Sequence, residues 1–516
     1  QRQMCIRDSS NTGITSIKFG QYLSTIGERA FNDCTSLKTI DLSENKVLAS
    51  LGELCFDNCS SLTNFAIPTS VTTLGNFVFQ DCIGLTGTMK ISSSVTSIAK
   101  NPFAGCLNID GVEVDSDNPE YRNSEIGALY SADDELIYYP EKATGEVTIS
   151  ADITVRANAF ERCDGITKVI LSEGIEGIPA SAFSYMYSLE EIVLPSTLKV
   201  INSKAFEYDT KLLSLTLPEG LETLATYAFS QCGIESLTIP SSIESIPYSC
   251  FSKCPNLKTV NLGTITEIGS YAFEYCSALE EIVIPNTVTN LGSYIFRESG
   301  IKKVTIPASI VTFGSNNFKK CTQLAEVTLE EGVTTLPSYT FDGCTALTSI
   351  TLPSSLTTIE NYCFRETGLI DVVIPNNISS LGTYLFASCE NLNTITLPNT
   401  LEAVPSYLCY NSGIKSIVIP ASVKTLGSYA FSGCTSLSNV TIEGKLTSIS
   451  TSVFADCTSI KRLEIDADEL TTMSSPFTNW TSEQTVVFNQ ARATIEAIST
   501  AYQNNTEANF VYSDTI

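Results

Sequence analysis

Eighteen cysteines are the residues of this chain best able to do chemistry, since a thiolate serves as nucleophile, metal ligand or disulfide partner. Their spacing argues against all three. Thirteen of them, Cys34, Cys59, Cys82, Cys106, Cys163, Cys232, Cys254, Cys276, Cys321, Cys344, Cys389, Cys434 and Cys457, stand three residues after a phenylalanine in a repeated segment. Elsewhere the same position holds Met186, Asp209, Ser299, Thr367, Ser412 or Trp480, a tolerance that pairwise bridges would not show. No C-x-x-C occurs, and the pairs Cys55/Cys59 and Cys250/Cys254 arise only where cysteine replaces the alanine before the phenylalanine. The column is expected to be a ladder of packed thiols, small hydrophobes in a core, with no metal and no cofactor implied.

The chain has no histidine. Ser-His-Asp triads, Cys-His pairs, HExxH zinc sites and facial-triad iron sites are therefore excluded within it. No GxxxxGK[ST] loop and no dinucleotide fingerprint occur. Asp115, Asp117 and Asn118 echo a calcium loop but lack its glycine and closing glutamate, so a solvated acidic loop is expected there. The sequons at Asn377, Asn439, Asn479 and Asn504 matter only in a cell that glycosylates. With 30 basic against 56 acidic side chains the net charge is −26, which disfavours nucleic acid and anionic membrane surfaces as partners. Apolar stretches are broken by Thr, Ser and Pro every few positions, so no membrane span is expected. No enzyme activity is expected.

The elements that position these residues follow from a repeat. Anchoring aromatics stand at Phe31, Phe56, Phe79 and Phe103, and from Phe160 they recur every 22 or 23 residues to Phe477, with Cys409 in the place of one. That makes nineteen rungs. Each follows L-x-x-I-x-I-P-x-x-V-x-x-L-G-x-x-A-F-x-x-C. The β-branched alternation closed by proline, as at Ile282 to Pro285, predicts a short parallel strand, because proline cannot donate to a ladder. The A-F-x-x-C segment suits one helical or 3₁₀ turn on the far side of a coil. A single coil cannot bury its strand face and its Phe, so rungs must stack.

This consensus resembles the BspA-like, Treponema-type class of leucine-rich-repeat surface proteins, from about Ile14 to Phe477. Between Phe103 and Phe160 the spacing jumps to 57 residues, and the inserted Asn118-Pro119, Gly127-Ala128-Leu129-Tyr130 and Leu136-Ile137-Tyr138-Tyr139-Pro140 resemble a hairpin insertion common in that family. By pattern it holds two strands around the Asp133-Asp134 turn. The expected architecture is an α/β, right-handed leucine-rich-repeat solenoid with a parallel β-sheet on its concave face and short helical or 3₁₀ turns on the convex side. The repeat region spans 11–480, with the insertion at 112–147. Residues 1–10, QRQMCIRDSS, match no rung and resemble translated adapter sequence; with no polar cap ahead of Ile14, the true N-terminus is expected to be missing. Residues 481–516 read as strand, helix and strand and are expected to form a C-terminal cap.

Two surfaces are candidates for binding. The strand face offers two outward columns, for example Glu281 and Val283, Ser349 and Thr351, Thr394 and Thr396, Asn439 and Thr441. It is a concave face of the kind on which solenoids bind, yet its Thr, Ser and Val are also what a strand prefers for its own reasons. The sharper feature is a tyrosine column two residues before the anchor: Tyr227, Tyr271, Tyr294, Tyr339, Tyr362, Tyr384, Tyr407 and Tyr429. One account is a half-buried seam with its hydroxyls in water. The other is a flat aromatic stripe for a glycan or an extended peptide, so that changing Tyr362, Tyr384 and Tyr407 to Ser would abolish binding with little change in melting. The family resemblance implies export or surface display and adhesion to host matrix proteins, other cells or glycans. The alternative is a passive spacer presenting another domain.

Overall fold

The computed structural model describes residues 13–515, so the stretch 1–10 lies outside the described residues. The chain forms two compact units, one running to Ile243 with Cys250–Asn256 added, the other of Glu244–Ser249 and Leu257 onward. Both are built of stacked coils carrying parallel strands. In the first unit Gly145–Ile149, Ile166–Leu171 and Glu191–Val193 pair in register, one rung apart. In the second, Asp371–Val373, Thr394–Thr396, Ser416–Ile419 and Asn439–Ile442 do the same. A second line of two-residue strands, such as Ala403–Val404, Thr425–Leu426, Ser448–Ile449 and Thr472–Met473, forms another parallel sheet from the V-x-x-L part of the rungs.

The anchor segment is not helical. The structure assigns an α-helix only at Arg492–Ile498 and a 3₁₀-helix only at Ala501–Gln503 among the described residues. In most anchor segments the residues two before and two after the anchor take the left-handed conformation, as at Tyr271 (φ 61°) and Tyr275 (φ 59°). A left-handed residue at every fourth position breaks the i→i−4 ladder, which is why the expected helical turn does not form. The backbone instead makes a ladder between coils. The N–H groups of Tyr271, Phe273 and Tyr275 donate to the carbonyls of Ser293, Ile295 and Arg297 in the next rung, at 3.0, 2.9 and 2.9 Å. The intervening amides of Ala272, Glu274 and Cys276 close i→i−3 turns inside the rung. Across the strand sheets the donors point the other way, from the later rung to the earlier, as in Gly292 N–H to Ile268 O at 2.8 Å. Opposed ladders thus satisfy the backbone of each coil on both sides.

The anchors stack behind this ladder. Phe273, Phe296, Phe318, Phe341, Phe364 and Phe386 form one run with centroid spacings of 5.4 to 5.8 Å. Phe160, Phe183, Phe206, Phe229 and Phe251 form another in the first unit, at 5.2 to 5.6 Å. All are buried, and the Leu, Ile and Val of the strands fill the coil around them.

The inserted segment contains Tyr121–Asn123, Leu129–Ser131 and Glu135–Tyr138 as an antiparallel sheet, with Thr154–Val155 added parallel to the last. It conceals an irregular rung. Tyr139 N–H donates to Ala159 O at 2.9 Å, its ring stacks on Phe160 at 4.5 Å, and Cys163 Sγ reaches its carbonyl at 3.5 Å. Tyr139 therefore occupies an anchor position. The preceding ladder loses its backbone acceptors at this junction, and side chains replace them: Glu141 Oε1 accepts from Gly105 N–H, and Asn101 Oδ1 from Phe103 N–H. Past Phe477, the strand Thr485–Phe488, the helix Arg492–Ile498 and the strand Asn509–Val511 follow, the two strands pairing in parallel.

Candidate functional site

The cysteine column has a structural task. Ten of its thiols donate to the anchor carbonyl of the preceding rung at 2.8 to 3.2 Å, among them Cys232 to Phe206 and Cys344 to Phe318. Trp480 does the same through Nε1 to Phe454 O at 2.7 Å, so an N–H donor can stand in for the thiol. The hydroxyls of Ser299, Thr367 and Ser412 lie in hydrogen-bond contact with the next thiol, Cys321, Cys389 and Cys434, at 3.4, 3.3 and 3.5 Å. The seventeen described cysteines are all buried thiols. Burial pushes the thiols of Cys321, Cys389 and Cys434 up to about 11, which keeps these three protonated and unreactive at neutral pH. Among the described residues no group of three or more Cys, Asp or Glu is arranged to hold a metal ion.

The tyrosine column is brought together in the second unit. Tyr339, Tyr362, Tyr384, Tyr407 and Tyr429 form a continuous stack with centroid spacings of 4.6, 4.7, 4.2 and 4.9 Å and ring planes within 9° of parallel. Tyr271 and Tyr294 form a separate pair at 4.8 Å, and Asn316 holds the position between it and the longer row. Every ring in these groups is half-buried and sits on a left-handed residue. The strain of an aromatic at positive φ is offset by the ladder bond its N–H makes and by the stack itself. Burial and a hydrogen bond with Tyr407 push the Tyr384 phenol up to about 12.

Cations flank the row. Asp342 is 1% exposed and grips Arg365 through two bonds, Nε to Oδ1 at 2.7 Å and Nη2 to Oδ2 at 3.0 Å, with Lys319 Nζ at 3.4 Å. Arg365 lies 5.4 Å from the Tyr362 ring and Lys319 4.5 Å from Tyr339. Arg297, paired with the buried Glu274, lies 5.4 Å from Tyr294. The stripe is therefore a set of rings pressed face to face and held by cations. Ring edges and hydroxyls remain for a ligand, and the flat faces that a sugar stacks upon are occupied along the row. Neither the face-to-face stacking nor the pinned cations were visible in the residue spacing.

The strand face of the second unit carries Val283, Thr305, Thr328, Thr351, Val373, Thr396, Val418 and Thr441 at successive outward positions. The valines, fixed on the outward face by the strand's alternation, are 72, 67 and 47% exposed. Their neighbours in the other outward column pair along the rungs, Lys303 with Glu326 at 2.6 Å and Thr394 with Asp371 at 2.5 Å.

The acidic loop near the insertion is tied into the fold. Asn118 donates to Ser92 O and Val95 O and accepts from the amides of Glu120 and Tyr121, so its amide is fully used. Asn45 makes the same four bonds one region earlier, to Gly20 O and Leu23 O and from Val47 and Leu48. No helix among the described residues is long and apolar enough to cross a membrane.

A family model described as the BspA type leucine rich repeat region matches six times, over residues 9–124, 138–258, 244–369, 313–435, 357–484 and 402–513. No curated protein matches the chain. Solved structures similar to it include a leucine-rich repeat protein from Bacteroides ovatus, 19% identical over 96% of this chain and 92% of that one, with a TM-score of 0.38. Another, from Eubacterium ventriosum, is 22% identical over 69% of this chain and 77% of that one, with a TM-score of 0.37. A leucine rich cell surface protein from Faecalibacterium prausnitzii is 19% identical over 84% and 88%, with a TM-score of 0.32. On the family matches, which take in most of its length, the chain belongs to the BspA-type leucine-rich-repeat family.

Proposed function

We propose that the chain is a non-catalytic interaction scaffold, secreted or displayed at a cell surface, that binds an extended polypeptide of a matrix protein or of another cell across many consecutive rungs. The observation that carries this reading is the periodic surface of the second unit, where exposed Val and Thr from Val283 to Thr441 and stacked tyrosines from Tyr339 to Tyr429 repeat at every rung. Such surfaces gain affinity by summing weak, regularly spaced contacts. The occupied ring faces favour a polypeptide over a glycan, since ring edges and hydroxyls suit amide and side-chain partners. Tyr271, Tyr294, Tyr339, Tyr362, Tyr384, Tyr407 and Tyr429 are the proposed contacts.

We take the coils to wind right-handed, because connections between parallel strands of one sheet almost always do, and the anchor segments to form the convex side. The organisation that goes with this is a repeat region over 11–480, an insertion over 112–147 and a cap over 481–516. The surface location rests on family membership.

An array of matrix proteins and glycans probed with the purified chain tests the proposal. Binding to protein spots is expected, weakened about tenfold or more by the combined Tyr362→Phe, Tyr384→Phe and Tyr407→Phe variant, which keeps the stack and removes three hydroxyls. Glycan-only binding, or unchanged affinity in the variant, would contradict it. Binding to neither class would return the chain to a spacer role.

A further inference from the structure

The tyrosine row also has a chemistry of its own. Tyr384 and Tyr407 are its closest pair, 4.2 Å between centroids with planes 8° from parallel. Both are half-buried, so their edges meet solvent. The groups that oxidise more readily are withdrawn: the seventeen described thiols, Trp480 and the described methionines Met89, Met186 and Met473 are all buried. A solvent-borne oxidant arriving at this side of the second unit meets phenols first. Tyr362 and Tyr429, at 4.7 and 4.9 Å from the pair, extend the stack on either side, so an electron deficit created on a neighbouring ring can pass to it.

We propose that Tyr384 and Tyr407 form a latent cross-linking site, joined by a carbon–carbon bond when the row is oxidised one electron at a time by a haem peroxidase with hydrogen peroxide. Each phenol loses one electron and its hydroxyl proton and becomes a phenoxyl radical whose unpaired electron is shared with the ortho carbons. The two radicals couple through their facing rings, forming one bond between ortho carbons. Each joined carbon then releases its hydrogen as a proton while the ring oxygen takes one from water, restoring two phenols. The peroxide takes up the two electrons and two protons and leaves as two waters, so two tyrosines and one peroxide give one dityrosine and two waters. Face-to-face contact suits this coupling, because the new bond forms perpendicular to each ring before aromaticity returns. The rung ladder holds the rings in that contact in advance, Tyr384 N–H to Ser406 O at 3.4 Å and Tyr407 N–H to Ser428 O at 3.0 Å. Tyr410 is a built-in contrast: it is 5.6 Å from Tyr407 at 72°, edge-on, and offers no facing ring. The product is a covalent staple between two adjacent coils.

The test treats the dilute full chain with a haem peroxidase and limiting hydrogen peroxide, then maps linked peptides by mass spectrometry and follows dityrosine emission. A linked peptide containing Tyr384 and Tyr407, lighter than its parts by two hydrogens, is expected to dominate, to vanish in Tyr407→Phe and in Tyr384→Phe, and to persist in Tyr429→Phe. Phenylalanine keeps the ring in the stack, and an unchanged thermal transition in these variants shows that the coils remain folded. The proposal is overturned if no dityrosine forms, if Tyr407→Phe leaves the emission unchanged, or if products follow exposure alone, led by links between molecules through Tyr22, which is 84% exposed.

Discussion

Replacing Asp209 by cysteine should stabilise the first unit, and increasingly so as the pH rises. Asp209 stands in the cysteine column with no exposed surface. One carboxyl oxygen accepts from Met186 N–H at 2.9 Å, and the other is buried without a hydrogen-bond partner. In eleven other rungs the same position sends a thiol to the anchor carbonyl before it. Burial pushes the Asp209 carboxyl well above the ordinary carboxylate range. The native state therefore keeps a proton that the unfolded chain has released, and stability falls as pH climbs from the ordinary range toward the raised native value. Within that window the loss is about 1.4 kcal/mol per pH unit. Asp209→Cys removes this slope and the unsatisfied oxygen, a gain of about 1–3 kcal/mol before the pH term. Because long repeat arrays need not unfold as one unit, the readout is local: hydrogen exchange at the Leu212 and Gly233 amides, both bonded to the Asp209 carbonyl, between about pH 5 and pH 8. Opening free energies should be higher in the variant and diverge from those of the parent as pH rises. Parallel pH profiles, or a variant less protected throughout, would refute the reasoning.

Three further outcomes follow from the packing. Phe341→Ala removes a fully buried ring stacked at 5.7 Å on both Phe318 and Phe364, and should cost about 3–5 kcal/mol in denaturant titration. Cys344→Ala deletes the thiol bonded to Phe318 O at 3.1 Å and should cost about 1–2 kcal/mol, with Cys344→Ser costing less because hydroxyls already serve in this column at Ser299 and Ser412; no described thiol should alkylate in the native protein. Gly413→Ala should destabilise by at least about 1–3 kcal/mol in the same titration, because its Cβ would lie 1.9 Å from Glu390 O where the shortened loop presses on the preceding rung.

The rung period and the recurrence of anchors and cysteines were legible because each depends on one column of residue types recurring at a fixed interval; the bonds from thiols to anchor carbonyls were not. The anchor backbone was not. A-F-x-x-C spacing fits a helical turn as well as alternating right- and left-handed residues, and only the carbonyls of the next rung decide between them. Local preference even points the wrong way, since tyrosine is disfavoured at positive φ. Tyr139 escaped notice as an anchor because its neighbours are spaced by the insertion, and it declares itself only through its bonds to Ala159 and Cys163. Glu141 is similar: an acidic residue in a polar loop by sequence, it is buried and takes the place of a missing backbone carbonyl. The tyrosine column was visible, but its stacking was not. The expectation that Tyr→Ser changes would alter melting only a little is revised by that stacking, since each loses aromatic contacts worth about 0.5–1.5 kcal/mol besides buried area.

The measurement closest to the central claim is a hydrogen-exchange footprint of the chain with and without its tightest protein ligand from the array. Binding spread over consecutive rungs predicts graded protection along the segments from Tyr339 to Tyr429 and along the strand face from Val283 to Thr441, with no single rung dominant. Protection confined to one rung, or found only in the insertion, would contradict it.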